Sequence, residues 1–152
     1  MANEFDALGK RLPNTRPGQP ERGQIRVIMG ALEQLTTSVV KKVTLDITAN
    51  LSRAAEEGGT PVDTGWARAN WIPAIGSPLQ QPAGNPDGGV GIAEAAQQSG
   101  IGSVLSYKFG SGAVFITNNV SYILRLNDGS SQQAPAGFVQ RAIQEAVLGV
   151  RI

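Results

Sequence analysis

The chain has 152 residues, enough for one domain of ordinary size and too few for two with independent cores. Only 16% of residues are charged and 13 basic side chains stand against 12 acidic, so no bulk field draws the protein to nucleic acid or to a membrane surface. With no cysteine and no histidine, disulfides, the common zinc sites and the Ser–His–Asp and Cys–His nucleophile arrangements are excluded, and any enzyme reading must rest on carboxylates, lysine or tyrosine.

Leu, Ile, Val and Phe make up about a quarter of the chain, which clears the level at which sequences stay disordered. Residues 1–10 hold Glu4 and Asp6 without an apolar run, and no window approaches a membrane span. Neither a secretory signal nor a spanning helix is expected, and the expected compartment is cytosol-like. Residues 1–23 set Pro13, Pro17, Pro20, Gly18 and Gly23 among scattered charges, a composition that predicts an extended arm. Such an arm is either a frayed terminus or a strap across a neighbouring subunit.

Over residues 24–57 the apolar side chains Ile25, Ile28, Leu32, Leu35, Val39, Val43, Ile47 and Leu51 recur every three or four positions, the pattern of an amphipathic helix. Gly58, Gly59 and Pro61 mark its stop, while Gly30 and Thr36-Thr37-Ser38 are points where it is expected to bend or divide. If continuous, it reaches roughly 50 Å, longer than the roughly 38 Å breadth of a globule of this size, so one end should overhang. Val27, Ala31, Val40 and Leu45 widen its apolar face, as packing on both its own domain and a neighbour would require.

Residues 60–65 read as a turn fixed by Pro61, Asp63 and Gly65, and residues 66–75 as a strand with Trp66, Arg68, Asn70 and Ile72 on one side. Pro73 confines that strand to an edge or a bulge. Residues 76–91, rich in Pro and Gly, suit a flexible loop. A short helix over residues 92–107, a strand over 113–117 and one helical turn over 122–126 follow. A last amphipathic helix, with Pro135 in place for its first position, closes at Gly149. These elements make an α+β fold: long N-terminal and C-terminal helices packed on a small, mostly antiparallel sheet, in one domain over residues 24–152.

Asp63-Thr64-Gly65 is the tripeptide of aspartic proteases, where two such aspartates share a proton and activate water. Those enzymes are all-β and follow the triplet with a small residue, whereas here Trp66 follows and a long helix precedes. A turn in which the carboxylate ties down the chain is the plainer reading, with a homodimeric aspartic protease as the alternative. No glycine cluster matches a dinucleotide or phosphate loop, and no carboxylates are spaced for a metal cage. No cofactor or metal is expected. Trp66 and Trp71 are five apart, on opposite faces of a regular strand: either both are core, or one is core and the other, if exposed, is a subunit-contact anchor.

Three blocks, Thr60-Pro61-Val62-Asp63-Thr64-Gly65-Trp66-Ala67-Arg68-Ala69-Asn70-Trp71, Ile116-Thr117-Asn118-Asn119-Val120-Ser121-Tyr122 and Gln133-Ala134-Pro135-Ala136-Gly137-Phe138-Val139, are similar in order and content to the neck and tail-completion proteins of tailed bacteriophages. The resemblance spans roughly residues 24–148. It implies a small α+β subunit of a virion ring of about six copies at the head–tail junction, assembled in the host cytoplasm. It also implies contact with a head connector or adaptor and with tail terminator or tube proteins, DNA passing through the lumen without sequence-specific binding, and no membrane. Asp63, Thr64, Gly65, Trp66, Arg68, Asn70, Trp71, Asn118, Asn119, Tyr122, Gly129, Pro135 and Gly137 are then framework and assembly positions, none catalytic. The chain departs from the family at Asn127-Asp128, where an acidic-led pair is usual before Gly129, and at Trp66, where a basic or small residue is common.

Overall fold

The computed structural model describes residues 22–151. The arm expected over residues 1–23 lies outside the described residues except for Arg22 and Gly23, which open a helix. That helix, α1 (Arg22–Ser52), runs unbroken for 31 residues, about 46 Å. Gly30 and the hydroxyl cluster do not divide it, because Thr36 and Ser38 donate to the carbonyls of Leu32 and Gln34 at 2.8 and 2.9 Å and so join the helix's own ladder. It ends short of Glu57. A 3₁₀ turn over Ala55–Glu57 follows, and both the backbone N–H and the hydroxyl of Thr60 donate to the Leu51 carbonyl, at 3.1 and 2.7 Å. An acceptor orphaned at the helix terminus is thereby satisfied.

The strand expected over residues 66–75 divides in two. Gly65, at φ +84°, takes the left-handed turn that feeds one helical turn, α2 (Trp66–Ala69), with the Ala69 N–H donating to the Gly65 carbonyl at 3.0 Å. Only Ile72–Ile75 is extended. This strand, β1, pairs antiparallel with β2 (Val114–Thr117), Ile72 facing Thr117 and Ile75 facing Val114. With two strands each has a free edge, which leaves room for Pro73 in β1. Helix α3 (Val90–Leu105) lies on β1, α4 (Ile123–Asn127) follows β2, and α5 (Phe138–Leu148) packs on the C-terminal part of α1. Gly137, not Pro135, precedes the first residue of α5, so Pro135 sits in the connecting loop.

The core joins Leu51 of α1 to Trp66, Ala67, Ala69, Trp71, Ala93, Val120, Ile123, Phe138 and Ala142. Helix α1 presents Thr44, Thr48 and Leu51 to it. Its first half points its apolar stripe elsewhere: Ile25, Ile28, Leu32 and Leu35 are exposed, so this end overhangs and the stripe expected to be core faces solvent there. The cause is geometric. At ~100° per residue, Thr37, Thr44, Thr48 and Leu51 share one side of the helix, and the stripe from Ile25 to Val39 lies about 150° around from it. No described helix is long and apolar enough to cross a membrane.

Helix α3 meets β1 almost backbone to backbone. A Cβ on Gly100 would stand 2.3 Å from the Pro73 carbonyl oxygen, whereas one on Gly102 meets nothing within 4 Å. Gly100→Ala should therefore destabilise the protein by about 2 kcal/mol. Gly102→Ala should stabilise it by about 0.5–1 kcal/mol through helix propensity alone. Urea melts of the two variants check both signs.

Candidate functional site

The three sequence blocks meet at the C-terminal end of α1. Asp63 and Thr64 are exposed on the turn after Thr60, and Gly65 carries the chain into α2. Helix α2 then places Trp66 and Asn70 toward the 76–89 loop. The indole N–H of Trp66 donates to the Ala83 carbonyl at 2.7 Å. The Asn70 amide donates to the same carbonyl at 3.1 Å and to the Trp66 carbonyl at 3.0 Å, while its oxygen accepts the Ala83 N–H at 2.7 Å. The loop expected to be flexible is thus gripped at its centre. Asn119 holds it a second time, donating to the Leu79 carbonyl at 2.8 Å.

The second block closes over the first. Asn118 donates to the Ala67 carbonyl at 2.7 Å and accepts the Val120 N–H at 3.2 Å, an Asx turn that ends β2. The Tyr122 ring tilts against Trp66, centroids 6.4 Å apart at 53°. Burial, and then the nearby negative charge of Asp63, hold the Tyr122 phenol above its usual range. The third block is tied in by Asn127. Its backbone carbonyl accepts the Gly137 N–H at 2.7 Å and its side-chain oxygen accepts the Val139 N–H at 3.0 Å, capping α5 from outside that helix. Gly129, at φ +90°, makes the turn between α4 and this segment, and Pro135 is exposed beside buried Ala134.

Trp66 and Trp71 are both buried, at 6 and 7% exposure, so neither is the expected subunit-contact anchor. The helical turn of α2 between them, in place of a strand, lets both reach one core. The indole N–H of Trp71 donates to the Thr60 hydroxyl at 2.7 Å. Gln97 of α3 donates to the Trp71 carbonyl and to the Ser52 hydroxyl, each at 3.0 Å. Gln97 and Asn127 were not singled out from sequence. A lone amide in an Ala-rich helix carries no pattern, and Asn127 registered only as a departure from the family.

Asp63 stands between two clefts. One of about 360 Å³ is lined by Thr64, Tyr122, Leu126 and Gln133, and one of about 890 Å³ by Ser52, Arg68, Glu94 and Gln97. The Val62 N–H donates to Gln133 Oε1 at 2.8 Å and bridges the first cleft's rim. Arg68 is half-buried in the second cleft and makes no ion pair among the described residues. The described residues hold one two-stranded sheet, unlike the all-β framework in which the protease triplet works. Among them no group of three or more acidic side chains could hold a metal. No described buried side-chain nitrogen or oxygen lacks a partner, so the polar groups of this joint are taken up within the chain, mostly by its own backbone. The arrangement is suited to holding elements in place.

Asn70→Ala should cost about 1–2 kcal/mol, since it strips the half-buried Ala83 N–H of its acceptor. Limited proteolysis should then cut residues 76–89 before the remainder of the chain. For Tyr122, a folded pKa above the unfolded value means the unfolded chain loses its proton first on raising the pH. Its contribution is complete below about pH 10 and is lost as the pH climbs toward the folded value. Tyr122→Phe should therefore flatten the alkaline decline in stability, measured by urea melts between neutral pH and pH 11.

No protein-family model, curated protein or solved structure matches the chain.

Proposed function

We propose that the chain is a structural subunit of the neck of a tailed bacteriophage, acting by assembly at the junction of head and tail. The observation that carries this reading is the convergence of the three blocks. The first block bonds to each of the other two, in which the family resemblance is also concentrated, through Asn118 on the Ala67 carbonyl and the Val62 N–H on Gln133, and Trp66 packs on Tyr122. That is the behaviour of framework positions.

The surface fits the same role. Large apolar side chains are exposed on separate elements: Ile92 and Leu105 on α3, Phe109 after it, Leu124 on α4 and Leu148 on α5. A ring needs two different patches per subunit, each fitting the other on the next copy. The reading takes a ring of about six copies between a head connector and the tail terminator or tube, with DNA passing through without base recognition.

The test is genetic and structural. In the virus that encodes it, deletion of the coding sequence should leave DNA-filled heads and separate tails, and gold-labelled antibody should mark the head–tail junction of intact particles. Infectious, fully joined particles lacking the protein would overturn the reading.

A further inference from the structure

The overhanging half of α1 carries a repeat distinct from the rest of the helix. Ile25, Ile28, Leu32, Leu35 and Val39 are spaced three and four in strict alternation, the first and fourth positions of a seven-residue repeat, which is the seam of paired helices. The first four are 41, 61, 60 and 42% exposed. The positions flanking the seam, Gln24, Met29, Ala31, Thr36 and Ser38, bear no charge, while Arg26 and Glu33 lie on the other side of the helix.

This seam continues a surface that is already a helix-packing face. Asp46 and Asn50 share its direction around α1 to within about 20°, and Arg53 follows just past the helix's end. On them lies α5: the Asn50 amide donates to the Ala142 carbonyl at 3.0 Å, Arg53 pairs with Glu145, and Gly149 comes against the Asp46 carboxylate. Helix α5 ends at Leu148, and the seam runs on past it uncovered.

We infer that this seam pairs with the same seam of a second copy, the two α1 helices running antiparallel about a two-fold axis, Ile25 against Leu35 of the partner subunit and Ile28 against Leu32 of the partner subunit. The four exposed seam residues, Ile25, Ile28, Leu32 and Leu35, are centred on residue 30, so turning them end for end places each opposite another of the four. With Met29, the four seam residues leave roughly 500 Å² of exposed surface per copy, so pairing removes at most roughly 1,000 Å² from water, the size at which specific interfaces begin. The helix itself calls for a cover. Gly23 and Gly30 and the β-branched Ile25, Val27 and Ile28 all weaken an isolated helix.

The pairing does not rest on the neck reading, since a two-fold contact closes with two copies and a ring does not. The absence of native cysteine allows a direct test on the full chain. Ile25→Cys and Leu35→Cys chains, mixed and mildly oxidised, should give a disulfide heterodimer in high yield, and Ile25→Cys alone little. Sedimentation should show a dimer at tens of micromolar. Ile28→Glu with Leu32→Glu, both at exposed positions, should weaken it by 100-fold or more while the circular dichroism of the fold persists. A wild-type chain that sediments as a monomer at those concentrations, a dimer unaffected by the double substitution, or efficient crosslinking between two Ile25→Cys chains would each overturn the proposal. A monomer in solution found at the neck of the particle would overturn the pairing alone.

Discussion

The carbonyl of Leu51 and the hydroxyl of Thr60 hold the molecule together. A two-stranded sheet is too small to define a core by itself, so the other elements take their positions from the end of the long helix. Thr60, fully buried, donates twice to Leu51 and receives the indole of Trp71, whose own carbonyl receives Gln97. That chain of bonds links α1, the turn, the start of β1 and α3 within one dry region. In such surroundings a missing partner costs far more than a net hydrogen bond contributes, so each link constrains the next.

Around this point the Asx and amide side chains act as rivets between segments remote in sequence. Asn70 and Asn119 hold the 76–89 loop, Asn118 ends β2 against α2, and Asn127 caps α5. Asparagine suits the task because it donates and accepts through one short, uncharged group, and so satisfies a backbone N–H and a backbone carbonyl at once. Charged side chains would have carried a desolvation cost into the same sites.

The long helix was legible because a three-and-four apolar spacing sustained over eight positions suits a helix and neither a strand nor a loop, and the closing helix was legible for the same reason. The direction of the first helix was not. Its core contacts are made by Thr44 and Thr48, polar by any scale, while its most apolar stretch faces outward, so a pattern of hydrophobicity points to the wrong side. Residues 66–70 misled in a related way. Large and small residues alternate there as in a strand, and only the positive φ of Gly65 and the bonding of Asn70 reveal a helical turn. Asn70, Asn118 and Asn119 stand within the sequence blocks already singled out, whereas Gln97 matters only because folding places Trp71 and Ser52 within its reach.

The overhang of α1 makes it a lever braced where the Phe109 N–H donates to the Thr37 hydroxyl at 3.0 Å. The stretch from Arg22 to Thr37 is about 22 Å long, so a rotation of about 10° at the brace carries its tip through about 4 Å. The firmness of that brace, and of the bonds around Thr60 behind it, sets how accurately the overhanging residues of α1 are placed in space.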